Sequence, residues 1–357
     1  MRPFHPAERR VGGDVVAIAT LSALGRKKFW QSRWRPALYG PLKRVGDMQI
    51  VTKMLKTRAQ QKILKSLDMF SDDTIPDQAY WEAQENRPLC IGIFGTPKSA
   101  STFVWRVLLE LVEAPESRST FDQTKNHRGL HELDANDIIR QRLRHGKWIS
   151  HSHITANPYT LNIIDRLQIL SIVTVRNLLD FIVSLREEWL RQWKTLAVQL
   201  LHDGSGSVQF LGLIPIESIQ HFVSSDSSAQ LDFVIETTCE WYFRNIQGWR
   251  SAARARPERV CFSVYEDLIQ DEVRQLYRLS QFAGLDKPID RIVHACANVK
   301  RDANIANINV GRRGRGRETL NPRQIDRVRS ILDAVGSDKE LTRYLMEGIG
   351  SSTLFNS

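Results

Sequence analysis

Apolar residues along this chain switch repeatedly between strand-like runs and helical spacing, and the alternation begins near residue 87. Leu89–Phe94 is a short, nearly continuous apolar run, and Val104–Val112 follows with apolar positions at helical intervals. A run of that kind followed by a 3.6-residue period predicts a strand, a tight turn and a helix. Ile169–Val175 is almost wholly apolar, as expected of a parallel strand buried on both faces, and Asp180–Trp193 reads as the helix after it. Trp148–Ile154 and Val260–Val264 read as further strands, and helices are expected over 230–250 and 272–282. Asn321-Pro322 supplies an N-cap and a first-turn proline for a last main helix reaching about Ala334. Residues 115–150 are polar without a long apolar period, and Gly204–Gly206 and Ser224–Ser228 punctuate a loop-rich middle. Strands alternating with helices imply an α/β fold: a mainly parallel sheet flanked by helices on both faces, entered through a P-loop-like strand–loop–helix.

Charge divides the chain more sharply than hydropathy does. The 357 residues carry a net +10, yet residues 1–70 hold 15 Lys/Arg against 4 Asp/Glu, and the remaining 287 hold 35 against 36. The expected organisation is a basic, partly helical N-terminal extension over 1–86 and an α/β domain over 87–357. From residue 48, apolar positions such as Ile50, Val51, Met54, Leu55, Ile63 and Leu64 recur at three- and four-residue spacing. An amphipathic basic helix there suits a membrane surface or a partner, or packing on the main domain with its lysines outward. Ser71–Gln78 reads as the connector. A nucleic-acid-binding fold would spread its basic footprint over the folded domain, which is balanced here.

Val15–Leu24 is the longest apolar stretch near the N-terminus and falls short of the ~20 residues that a membrane-spanning helix needs. The four cysteines, Cys90, Cys239, Cys261 and Cys296, are scattered without a C-x-x-C pair, so neither a metal site nor a disulfide framework is legible. A reducing compartment follows as the simpler inference. The expectation is a cytoplasmic protein, with peripheral membrane contact through residues 1–70 as a further option and no oligomeric state readable.

The chemistry concentrates in Thr96-Pro97-Lys98-Ser99-Ala100-Ser101-Thr102-Phe103, between the first strand and its helix. The first turn of a helix leaves backbone N–H groups without intrahelical partners, and the helix dipole adds partial positive charge. Ser99, Ser101 and Thr102 add hydroxyl donors and Lys98 a full charge, a combination suited to phosphate or sulfate. It is not a Walker A loop, because Lys98 precedes the small residue Ala100 and no Gly-Lys-Ser/Thr occurs in the segment. Three other segments join it. Arg176 stands at the end of a buried strand, where open α/β sheets bind ligands, with Ser184 eight residues on. Arg312-Arg313-Gly314-Arg315-Gly316-Arg317 offers guanidinium forks for phosphate and glycines that admit close approach. Val264-Tyr265-Glu266-Asp267-Leu268 closes the last strand.

Lys-Ser-small-Ser-Thr-aromatic after a strand resembles the phosphosulfate loop of the sulfotransferases that use 3′-phosphoadenosine 5′-phosphosulfate (PAPS). Arg176, Asn177, Asp180 and Ser184 match that family's strand-end arginine run residue for residue, and the likeness spans roughly 88–335. The resemblance implies sulfuryl transfer from PAPS to a hydroxyl or amine of a carbohydrate, lipid or small-metabolite acceptor. It leaves 3′,5′-adenosine bisphosphate and requires no metal. It further implies that Lys98 stands beside the oxygen bridging phosphorus and sulfur, and that the N–H groups of Ser99, Ala100, Ser101 and Thr102 hold the 5′-phosphate. Phe103, in place of the family's tryptophan, and Tyr265 are then expected near the adenine. Arg176 and Ser184 are expected on the 3′-phosphate, covered by Arg312, Arg313 and Gly314, with Arg315 and Arg317 as the alternative arginines because Gly316-Arg317-Glu318 replaces the family's Gly-Asp-Trp. The family places a histidine just over twenty residues before that arginine, which makes His153 the expected base and His151 the second choice; His127 and His131 could instead touch the acceptor. Two departures from the family are Phe103 and Ala100, which replaces a frequent glycine and is harmless only with a negative φ. The rival readings are a P-loop nucleotide kinase or NTPase, and a non-enzymatic anion- or nucleic-acid-binding protein using residues 1–70 and 300–330.

Overall fold

In the computed structural model, residues 89–113, 133–203, 216–301, 312–336, 338–348 and 354–355 are described. The basic segment 1–86, His127 and His131 lie outside them. Among the described residues, β1 (Leu89–Gly95), β2 (Lys147–Ser152), β3 (Leu170–Val175) and β4 (Val260–Val264) form one parallel sheet in the order β2-β1-β3-β4. The apolar runs become strands because both faces are covered. Cys90 and Phe94 of β1 join one apolar layer with Trp148, Val173 and Phe262, whereas Ile91 and Ile93 join another with Ile149 and Ile172.

The second layer is closed by α1 (Ser101–Val112), α8 (Glu272–Phe282) and α9 (Ile289–Arg301). The first is closed by α3 (Pro158–Leu167), α4 (Leu178–Asp203), α6 (Ser227–Ala255), α11 (Pro322–Val335) and α12 (Lys339–Glu347). Helices on both faces of a parallel sheet are the architecture expected from the sequence. Shorter elements connect them: α2 (Ala135–His145), α5 (Ile216–Ser224), α7 (Tyr265–Gln270) and α10 (Arg315–Thr319).

Several helices were not expected, among them α12, which follows the helix taken as the last, and the short α5, α7 and α10; three others add to the core. The polar stretch before β2 contains α2, capped by the Asp134 carboxylate on Asp137 N–H and burying Ile138, Ile139 and Arg142. Arg142 lies in the core because its guanidinium donates to the Leu167 carbonyl at 2.5 Å. Helix α3 opens on Asn157 and Pro158, a cap and first-turn pair like the one that opens α11. Helix α9 buries Ile292, Ala295, Cys296 and Val299, a one-face pattern diluted by its charged residues.

The strand order fixes where a ligand can sit. From β1 the chain crosses to one side, to β2, and from β3 it crosses to the other, to β4. The loops leaving β1 and β3 therefore diverge, and a crevice opens at the carboxyl edge between them.

Candidate active site

All four strands deliver a candidate residue to that edge: β1 leads into 96–103, β2 into His153, β3 into Arg176 and β4 into Tyr265. The turn after β1 is clamped to β3. Thr96 N–H donates to the Thr174 carbonyl at 3.1 Å, and the Ser99 hydroxyl bonds the Thr96 carbonyl at 2.5 Å and Thr174 Oγ1 at 2.6 Å. Gly95 is demanded by this approach, since a Cβ there would lie 1.8 Å from Thr174 Oγ1. The Ser99 hydroxyl is thus a staple of the turn. It is fully buried and its hydrogen is used within the turn, which corrects the expectation of a Ser99 hydroxyl donating to a ligand.

Lys98 and Ala100 both have φ of 63°, with Ser99 between them at negative φ. Ala100 thus does not meet the condition of negative φ under which its replacing a glycine is harmless: the helix opens on a left-handed cap without a side-chain cap bond. Alternating handedness turns successive backbone N–H groups toward one concavity, an anion-binding nest. Left-handed backbone costs roughly 1–2 kcal/mol at each non-glycine residue, so the geometry is held by the clamp rather than by local preference.

The histidines separate into two roles. His153 Nδ1 lies 2.6 Å from the Gly95 carbonyl, which only accepts, so Nδ1 carries a proton and the neutral ring keeps its lone pair on Nε2. His151 Nε2 lies 2.8 Å from Ser101 Oγ, and its ring stacks on Trp105 with centroids 5.6 Å apart. The two imidazoles meet edge to face at 5.3 Å. The Ser101 hydroxyl is therefore shared with His151, while Thr102 is partly exposed at the helix start.

Arg176 is the hub. Its guanidinium donates to the Lys98 carbonyl at 3.3 Å and to the Arg312 carbonyl at 3.2 Å, lies 3.6 Å from the Asp180 carboxylate, and covers the Tyr265 ring at 4.0 Å. The anion loop, the strand-end arginine, the Arg-Gly segment and the tyrosine thus converge on one place. Burial pushes the Tyr265 phenol above its ordinary range, with Arg176 pulling the other way. Its ring supports the arginine. Phe103 is 6% exposed within the apolar layer over β1, a wall and no open stacking platform. Arg176 Nε and Ser184 Oγ are buried without a hydrogen-bond partner among the described residues.

The C-terminal arginines are unequal. Arg312 pairs with Glu318, Arg315 pairs with Glu187, and Arg317 donates to the Met346 carbonyl at 3.3 Å. Among the described residues, Arg313 is the exposed arginine of the segment with no such side-chain partner. Gly314 has φ of 80°.

Three residues assigned no role from the sequence also build the site, Glu266 among them although its segment was singled out. Tyr242, deep in α6, donates its hydroxyl to the Arg176 carbonyl at 2.5 Å and accepts from Arg176 N–H at 3.1 Å and Thr96 Oγ1 at 3.2 Å. Glu266 accepts from Asn177 N–H at 3.0 Å and from the Tyr344 hydroxyl at 2.8 Å, tying α7, which follows β4, and α12 to the start of α4. Glu188 pairs with Lys98 at 3.2 Å, its carboxylate almost wholly buried. Tyr242 gave no signal, being one more aromatic in an apolar helix. Glu188 did, since it stands one helical turn beyond Ser184 and two beyond Asp180 on the same face.

Fold and geometry define the class: an α/β protein whose P-loop-like strand–loop–helix opens at the carboxyl edge of a parallel sheet. Residues 91–315 match the Sulfotransferase domain, and the chain belongs to that family. A crystal structure of mouse sulfotransferase SULT7A1 complexed with PAP shares the fold, with a TM-score of 0.50 and 15% identity, over 73% of this chain and 89% of that one. No curated protein sequence matches the chain.

Proposed function

We propose that this chain is a PAPS-dependent sulfotransferase whose acceptor is a hydroxyl or amine of a carbohydrate, lipid or small metabolite. The observation that carries the reading is the hydrogen bond from the Arg176 guanidinium to the Lys98 carbonyl, which brings the anion loop and the strand-end arginine together. Two cationic side chains brought together in this way support a ligand that carries phosphate at both ends. Arg176 Nε and Ser184 Oγ, buried without partners among the described residues, support a 3′-phosphate there, with Arg313 and the Gly314 backbone over it. SULT7A1, solved with PAP, is a relative in fold that binds such a nucleotide.

In this reading the nest N–H groups of Ser99 to Thr102, with the hydroxyls of Ser101 and Thr102, hold the 5′-phosphate. Phe103 bounds the adenine. Lys98 offsets the charge that grows on the oxygen bridging phosphorus and sulfur as the sulfur–oxygen bond breaks. His153, fixed by the Gly95 carbonyl, takes the acceptor proton on Nε2 as the new bond to sulfur forms. The basic segment 1–86 extends a domain over 87–357, and its charge suits a bulky or membrane-associated acceptor in the cytoplasm. Among the described residues, no helix is long and apolar enough to cross a membrane.

Thermal stabilisation by 3′,5′-adenosine bisphosphate, 5′-AMP and ATP tests the assignment. A ligand at 100 times its Kd stabilises by about 2.7 kcal/mol. The bisphosphate should give the largest shift and Arg176→Ala should erase its advantage. Equal shifts from AMP would remove the 3′-phosphate site, and a magnesium-dependent advantage for ATP would favour the kinase reading.

A further inference from the structure

Lys98 is claimed by a carboxylate. Its ammonium lies 3.2 Å from Glu188 Oε2, and the two side chains are 10% and 3% exposed. Glu188 also binds Arg191 and accepts from Gln192 Nε2 at 2.5 Å. The carboxylate therefore keeps two donors from its own helix if the lysine leaves, and a buried carboxylate is tolerable only while such partners remain. The lysine's backbone is constrained by its left-handed φ, but its side chain is long and flexible, so the ammonium can turn from Glu188 towards a second anion, and any hold the carboxylate keeps on it opposes that turn.

We propose that Glu188 is a positioning residue that competes with the 5′ end of the nucleotide for the Lys98 ammonium, and so sets how strongly the site holds that end. The inference rests on the sulfotransferase reading, in which Lys98 faces the 5′-phosphate and the bridging oxygen. Arg191 and Gln192 keep Glu188 in place as the lysine turns to its second anion. Unit charges a few ångströms apart in a partly buried setting interact by several kcal/mol, most of which cancels in an exchange of one anion for another. The residue left by that cancellation is what Glu188 subtracts from 5′-end affinity.

The test compares two ligands on the full-length protein by calorimetric titration: 3′,5′-adenosine bisphosphate, and adenosine 3′-monophosphate, which lacks the 5′-phosphate. Glu188→Gln should tighten the bisphosphate by roughly threefold to tenfold and leave the 3′-monophosphate within about twofold. Glu188→Asp withdraws the carboxylate by one methylene while preserving its charge, and should move the same ratio in the same direction by a smaller factor. If Glu188→Gln does not melt cooperatively, Glu188→Asp alone decides. Equal tightening of both ligands would mean that Glu188 repels the nucleotide directly, and no tightening would mean that it does not compete; either overturns the proposal. A wild-type protein that does not prefer the bisphosphate would instead overturn the underlying reading of the site.

Discussion

The Asp180 carboxylate accepts a hydrogen bond from Gly316 N–H at 2.7 Å across 136 residues of sequence. Its other oxygen accepts from Gly314 N–H at 3.0 Å and Asn177 Nδ2 at 3.1 Å, so a single side chain at the start of α4 seats the Arg-Gly segment. Placing an acid there also suits the positive end of the helix dipole. Gly316 can approach only because it lacks a Cβ, which would lie 2.3 Å from the Leu179 carbonyl carbon.

Gly316→Ala should therefore unseat the segment. Overpacking of this kind typically costs about 1–3 kcal/mol, visible as a lower melting temperature, and bisphosphate affinity should fall by roughly tenfold as Arg313 and Gly314 lose their place. Asp180→Asn presents a donor where Gly314 N–H also donates and should give a smaller loss of the same kind. Unchanged affinity in a destabilised Gly316→Ala protein would separate the segment from the nucleotide.

Tyr242→Phe should weaken the protein without touching a ligand group. The hydroxyl bridges Thr96 and both backbone groups of Arg176, all buried. Leaving such groups unpaired costs about 1–3 kcal/mol. A lower denaturant midpoint with an unchanged slope is expected, together with looser nucleotide binding, because the same hydroxyl holds the β1 and β3 ends in register. An unchanged midpoint would show that the bridge carries no stability.

What could be read from the sequence was the part written in local order. Leu89–Phe94 and Ile169–Val175 announce buried parallel strands by composition alone, and the loop between Thr96 and Phe103 announces an anion site by its hydroxyls and lysine. Arg176 was legible because its place at a strand end is a consequence of topology. What could not be read was the direction of each side chain. Ser99 looks like a ligand donor in sequence and becomes a staple only because Thr174 arrives 75 residues later. Ala100 is left-handed although helix starts usually favour negative φ, because here the clamp overrides the local preference. Helix α2 was missed because its buried face includes Arg142, whose burial depends on the distant Leu167 carbonyl.

Alkaline stability should follow the buried thiols. Burial pushes the Cys90 thiol from its ordinary 9.0 up to about 11, and Cys239 is raised as well, again mainly by burial. In the unfolded chain the Cys90 proton leaves near 9.0, whereas the folded chain retains it to about 11. The unfolded state therefore binds fewer protons across this window, and stability falls as pH rises through it, by about 2–3 kcal/mol for a shift of this size. Below pH 9 the contribution is fully present. Denaturant midpoints at pH 8 and 11 should show the loss, and Cys90→Ala should remove the Cys90 share while the share of Cys239 remains; an unaltered slope would assign the loss to other groups.

The two histidines should part in kinetics. His153 donates Nδ1–H to the Gly95 carbonyl, so the nitrogen suited to take a proton is Nε2, and on the proposed reading removing the ring removes the base. General-base contributions of this kind are typically 10²–10⁴, so His153→Ala should lower kcat by about that factor and leave bisphosphate affinity within about twofold. His151 bonds the Ser101 hydroxyl at the opening of α1 and stacks on Trp105, so His151→Ala should act first on the nucleotide, raising its Kd, with a smaller loss of kcat. The acid limb of the kcat profile, where the base becomes protonated, should vanish in His153→Ala and persist in His151→Ala. The opposite pattern, with binding lost at residue 153 and the limb lost at residue 151, would exchange the two roles.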